Sequence, residues 1–266
     1  MTARQAVRPG GTIETLKGAV AAEWTKAWSV RSTWWGAVAG VVLMAAASAQ
    51  TAIYIVDANT NTDPSDDRGV TAWGQVAAQA VELAQFAVIA LAMLLVTAEY
   101  AAGSMRTTVQ WVPQRGALLA AKAVVAAVVC GVTGAVMAVT GALAAWPLLG
   151  SWGAVSATGL IGDVLTIAVY LAVMGAATVG AAMALRSAVT TLTVVFLLMT
   201  VVPASLSATD LTAAERIAEL LPHAAGGAFL RDDGDPYSPA AGAALLAAWA
   251  AVALAAGLSV LRRRDA

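Results

Sequence analysis

Between Arg31 and Asp57 the chain carries no charged residue, and that restricts the fold more than any motif does. Folded as a helix, Ser32 to Val56 is about 37 Å long, which clears the ~30 Å hydrocarbon core of a bilayer. Gln75 to Thr97, Ala123 to Trp146, Val164 to Leu185, Val189 to Val202 and Ala240 to Leu261 repeat the pattern, the first of them interrupted by Glu82. Sixty per cent of the 266 residues are hydrophobic and 12% are charged, proportions that no soluble domain of this length needs for its core. The expected fold is all-α, a polytopic membrane protein with six transmembrane helices and both termini cytosolic.

The orientation follows from how the remaining charges are sorted. With both termini inside, all of the fifteen Lys and Arg residues except Arg68, Arg216 and Arg231 fall in cytoplasmic segments, as the excess of basic residues in cytoplasmic loops requires. Most of the sixteen acids fall outside, including Asp63 to Asp67 and Asp232 to Asp235. The net charge of −1 hides this separation and gives no basic face, so no nucleic-acid partner is expected. Trp34, Trp35, Trp73, Trp111, Trp146 and Trp152 lie at the ends of the expected spans, where amphipathic rings anchor at the bilayer surface.

The chain then divides into residues 1–32, a cytosolic tail with an interfacial helix; 33–261, the transmembrane domain; and 262–266, a basic cytosolic end. In the first part Leu16, Val20, Trp24 and Trp28 recur every four residues and form a drifting apolar stripe over Ile13 to Arg31, blurred by Lys17 and Glu23. In the external segment 205–239, Thr212 and Glu215 fit a capping box for a helix from Ala213 to Leu221, stopped by Pro222. Ala224 to Leu230 follows, apolar but too short to cross.

The cytosolic loop 99–117 interrupts the apolar runs with polar and basic residues. Gly103 and Ser104 can end one helix and cap another, and Pro113 with Gly116 can stop the second, leaving a short helix from Ser104 to Val112. The basic residues of the loop put this helix on the cytoplasmic face, within reach of a soluble partner.

The pattern E-Y-x-x-G-S-M-R at Glu99 to Arg106, P-x-R at Pro113 to Arg115 and A-K at Ala121 to Lys122 resembles the cytoplasmic loop of ABC-2-type exporter permeases in their actinobacterial form. Glu23 to Lys26, E-W-T-K, followed by V-R-S-T-W-W at Val30 to Trp35, is similar to the N-terminal segment of the same family. The resemblance implies a coupling helix that docks on a cytosolic ABC ATPase through Glu99, Ser104, Met105, Arg106, Val109 and Arg115, with Met105 as the apolar plug and Arg106 as the polar contact. It also implies two ATPase copies and a second permease subunit, identical or homologous, in the plasma membrane. ATP and Mg would sit on the ATPase, and the segment 205–239 would form an external helical hairpin.

The chain's own chemistry agrees with a subunit that is not an enzyme. No Walker A pattern occurs, and none of Lys17, Lys26 and Lys122 follows a glycine. His223 is the single histidine and Cys130 the single cysteine, which leaves no two-histidine metal helix and no disulfide; no cofactor, metal or catalytic residue is assigned here. Gln75, Gln79, Glu82 and Gln85 share about a third of the second span at 100° per residue, so they are assigned to the outer half of a translocation route. Two alternatives stay open: a non-transporting sensor or immunity subunit coupled to an ATPase, and an intramembrane enzyme.

Overall fold

The computed structural model describes residues 12–111, 114–209, 211–231 and 236–263. The tail before residue 12, Val112, Pro113, the Asp232 to Asp235 segment and Arg264 lie outside the described residues, as does the side chain of Arg106. Within them the chain is almost wholly helical, and six helices are long and apolar enough to cross a membrane. This makes it a multi-pass membrane protein by length and composition.

Helix α1 (Thr12–Ser29) leads into α2 (Arg31–Thr60) through Val30, whose extended backbone (φ −96°, ψ 123°) turns the chain. The helix expected from Ile13 to Arg31 is α1, which ends two residues early at Ser29 and leaves Val30 as the elbow before the first span. Helix α3 (Trp73–Ala101) is the most enclosed of the spans, touching α2, α5 (Arg115–Leu149), α6 (Ala157–Leu185) and α7 (Ala188–Phe196). A short helix, α4 (Met105–Trp111), separates α3 from α5. The fifth span continues from α7 through one π-helical turn, Leu197–Val201, into α8 (Val202–Ser207). The short helices α9 (Thr212–Glu219) and α10 (Pro222–Arg231) precede the last span, α11 (Pro239–Arg263).

Several boundaries differ from the sequence reading, each for a local reason. Helix α5 begins at Arg115, so Gly116 lies inside it instead of stopping α4. Pro147 also lies within α5, and the helix ends two residues later where Gly150 takes φ +52°. Thr212 is the first residue of α9 behind Leu211, which offers no capping side chain, so the expected capping box is not formed. Pro222 opens α10, the first-turn position where a missing N–H is harmless. A two-residue parallel bridge, β1 (Thr71–Ala72) with β2 (Gly153–Ala154), joins two loops and was not anticipated.

The hairpin between α6 and α7 shows how few residues a tight turn needs. Arg186 takes a left-handed conformation (φ 57°) that caps α6, and its N–H donates to the Ala182 carbonyl. Ser187 then accepts from the Thr190 N–H and starts α7.

One end of the bundle gathers α1, α4, the start of α5 and the end of α11, because Lys122 reaches Glu23 and the Arg115 guanidinium donates to the Leu261 carbonyl. Small residues let the spans approach closely, and one crossing is backbone on backbone. A methyl group on Gly180 of α6 would lie 2.5 Å from the Ala253 carbonyl carbon and the Leu254 nitrogen of α11, and such proximity carries helix association where lipid supplies no hydrophobic drive. Gly180→Val should therefore destabilise the protein by about 1–3 kcal/mol, seen as a lower thermal midpoint in detergent. An unchanged midpoint would remove this crossing from the account of the packing.

Candidate functional site: a buried ion network under the short helix

Four charged side chains from three helices meet at the shared end of the bundle. Lys122 of α5 donates to Glu23 Oε2 and Glu99 Oε1, each at 2.7 Å. Lys26 of α1 donates to Glu23 Oε1 at 2.9 Å and to Glu99 Oε1 at 3.2 Å. The Thr108 hydroxyl of α4 donates to Glu99 Oε2 at 3.3 Å and accepts from Lys26 at 3.5 Å. Two cations and two anions alternate around a closed square, with no net charge.

Burial grades across it. The side chains of Lys122, Glu23 and Glu99 are 1%, 8% and 14% exposed, whereas that of Lys26 is 44% exposed. Removing an ammonium and two carboxylates from water is expensive unless each is paired and hydrogen-bonded, so the buried members depend on one another. Burial opposes the charged form of Lys26, but hydrogen bonds and charge from Glu23, then Glu99, outweigh it and hold the pKa above the ordinary 10.5. A raised pKa means that this lysine's contribution is complete below 10.5 and fades only as pH climbs through the higher folded value.

The local sequence explains why α1 can present an acid inward. Ala19, Glu23 and Ala27 form its buried face, spaced four apart, and the two alanines bring the backbone close enough for Glu23 to reach Lys122. The stripe of Leu16, Val20, Trp24 and Trp28 lies beside that face; Trp24 remains 40% exposed, while Val20 and Trp28 pack partly against the core.

Helix α4 is divided just as cleanly. Met105 is 2% exposed and packs with Met93, Val96 and Leu118, and Val109 leans on the same cluster. The expected role of Met105 as a docking plug is corrected: an apolar side chain at the first position of α4 turns into the bundle. Thr107, Gln110 and Trp111 occupy the opposite, exposed face, with Trp111 86% exposed. Trp111 thus closes α4 and does not mark the end of a span.

The other expected contacts fall around this centre. Ser104 turns its hydroxyl back to the Glu99 carbonyl at 3.4 Å, while its own carbonyl accepts from the Thr108 N–H. Tyr100 lies under the Arg186 guanidinium, 5.5 Å from its ring centroid, tying α3 to the α6–α7 turn. Arg115 reaches the last turn of α11. Reading one residue at a time, the sequence pointed to Glu99 and left out Glu23, Lys26, Lys122 and Thr108 as site residues. The available signal was an acid set against an apolar stripe in α1 and a lysine at the start of an apolar run.

At the opposite end the four polar residues of α3 separate. Gln75, Gln79 and Glu82 are exposed, whereas Gln85 is buried and accepts a hydrogen bond from Tyr170 at 2.5 Å. Glu82 pairs with Arg231 of α10 at 3.4 Å, both about half exposed. Glu82 borders a cavity of about 480 Å³ that is also lined by Phe86, Phe196, Met199 and His223.

Comparison with protein-family models finds no match, and comparison with curated proteins finds none either.

The square makes a quantitative demand. Lys122→Met leaves two carboxylates in a nearly dry site with only the half-exposed Lys26 between them and should destabilise the fold by about 3–5 kcal/mol. Glu99→Gln in the same chain should recover part of that loss. Limited proteolysis at the Val30 elbow reads the detachment of α1, which in the unaltered protein should stay protected up to pH 9. Equal protection in Lys122→Met would mean that the ions do not hold α1.

Proposed function

We propose that this chain is the membrane subunit of an ATP-binding cassette exporter of the ABC-2 type, with its termini and α4 in the cytosol of a cell whose plasma membrane it spans. Two copies of a separate ATPase supply ATP hydrolysis, and a second permease subunit, identical or homologous, completes the unit. The observation that carries the reading is the ion square. It joins the two segments that resemble the family, Glu23 to Lys26 and Glu99 to Lys122, and it anchors α4 to α1, α3 and α5 at once.

A helix held in that way transmits force. Its buried side, Met105, Thr108 and Val109, is bonded to the bundle, and its free side, Thr107, Gln110 and Trp111, is offered to the ATPase. A groove of about 400 Å³ between α1 and α4 has Thr107 and Trp111 at its edge and the ion square at its base. A partner element seated there pushes on Glu99, and so on the end of α3, with little slack.

The same helix α3 carries Gln75, Gln79 and Glu82 on its exposed side toward the other end. A carboxylate in hydrocarbon costs at least ~2.5 kcal/mol, so this stripe faces the second permease or a water-filled route between the two. Gln85 does not belong to that route, since it is spent on Tyr170.

Two measurements test the reading. Trp111→Ala, at a position 86% exposed, should leave folding intact and strip the ATPase from the affinity-purified complex; undiminished co-purification and export would sink the docking assignment. Glu82→Gln keeps size and hydrogen bonding but removes the charge, and should slow export by about tenfold, the factor carried by one lost charge interaction near 1.4 kcal/mol. Export at the unaltered rate would leave Glu82 as a packing residue paired to Arg231.

A further inference from the structure

A second cavity lies against the other side of the ion square, where α1 turns into α2. It measures about 150 Å³ and is apolar at its floor, where Leu91, Leu94, Leu95 and Val125 meet, and polar at its rim, where Lys26 and Ser32 stand. Leu94 is 36% exposed, so the floor opens sideways out of the bundle as well as toward the rim. Water gains little from such a floor, and an extended hydrocarbon chain fits it better.

The level of the cavity is marked by aromatic rings. Trp24, Trp28 and Trp34 pack edge-on and tilted in sequence around the elbow, with centroids 5.6 Å and 4.9 Å apart, and the Trp34 indole donates to the Trp28 carbonyl. Indole rings with one apolar and one polar edge sit where acyl chains give way to headgroups. The charge at this end has a sign too. The four ions of the square cancel, and the charges left over at this end among the described residues are basic apart from Glu14.

We infer that this cavity binds one anionic phospholipid from the leaflet that surrounds α1, its acyl chain on the Leu91 to Val125 floor and its phosphate at the rim beside Lys26 and Ser32. The occupant explains why the elbow is built as it is. An open slot beside a buried ion square would let water reach Glu99 and Lys122 from the side and weaken their attraction. A lipid chain keeps that wall dry, and its headgroup meets the half-exposed ammonium of Lys26 from the outside. The site depends on the membrane and the square, not on what the chain transports or which ATPase it meets.

The test uses the full chain, purified and delipidated in detergent, with lipid binding read by native mass spectrometry. Phosphatidylglycerol should bind at one molecule per chain and about fivefold tighter than phosphatidylcholine, the ratio expected of one basic residue facing an anionic lipid headgroup. Ser32→Asp should bring phosphatidylglycerol down to the phosphatidylcholine level, although an acid in the first turn of α2 favours the helix itself. Ser32→Lys should keep the preference. Leu94→Trp should remove both lipids while leaving every charge in place. Equal binding of the two lipids, unchanged phosphatidylglycerol binding in Ser32→Asp, or full binding in Leu94→Trp would each overturn the site. Displacement of the lipid by millimolar inorganic phosphate alone would also overturn it, by showing an anion site without a chain. A thermal scan of each variant separates loss of lipid from loss of fold.

Discussion

The architecture depends on a buried square of charge that no one of its members could sustain alone. Lys122 is almost fully enclosed, and its ammonium is tolerable only because Glu23 and Glu99 reach it from two other helices. Neither carboxylate is tolerable without the lysines. The consequence is geometric before it is energetic. Because each buried carboxylate needs a lysine within hydrogen-bond reach, α1, α3 and α5 are held in mutual position at one end. Helix α4 follows through Thr108. Hydrophobic packing among the spans could tolerate small slides, since one apolar contact replaces another. The square cannot, and so it supplies the register that a bundle of Ala, Gly, Val and Leu does not specify by itself.

Length and charge made the six spans legible, because the bilayer imposes both requirements on the sequence directly. Spans one, two and six were placed within about a turn of the helices that form them, whereas α6 begins two turns before the expected start of span four at Val164. What remained hidden was everything decided by a neighbour. Glu23 read as a blemish on an apolar stripe, and became the centre of a contact only once α5 stood beside it. Met105 read as a free apolar side chain, yet its position at the start of α4 places it over Met93 and Leu118. Gln85 shares a wheel sector with Gln75, Gln79 and Glu82, but Tyr170 of α6 claims it. A wheel gives angles about one axis and is silent on which helix occupies each angle.

The local signals that misled were those with two readings of similar strength. Pro222 can stop one helix or open the next, and here it opens α10, because the N–H it lacks is one that the first turn leaves unpaired anyway. Thr212 can cap a helix from outside or begin it, and Leu211 took the outer position. Pro147 fell inside α5 near its end, where interrupting the ladder of hydrogen bonds matters least. In each case the shift is one to three residues, too small to move a span and large enough to change which residues stand at its end.

The two ends of the molecule differ in kind. At the α1 end, charges are buried, paired at 2.7 Å and closed into a ring. At the other end, Glu82 and Arg231 are half exposed and 3.4 Å apart, and the fifth span relaxes into a π-helical turn beside the cavity that Glu82 borders. A π-turn carries one residue more than an α-turn, so the span can exchange register there without breaking elsewhere. An exposed pair at that distance contributes little to holding two helices together. Rigidity is thus concentrated where α4 meets the bundle and yields toward Glu82, along a single continuous helix, α3, that contributes Glu99 at one end and Glu82 at the other. A displacement of Glu99 is therefore carried by α3 into the region where the structure resists it least.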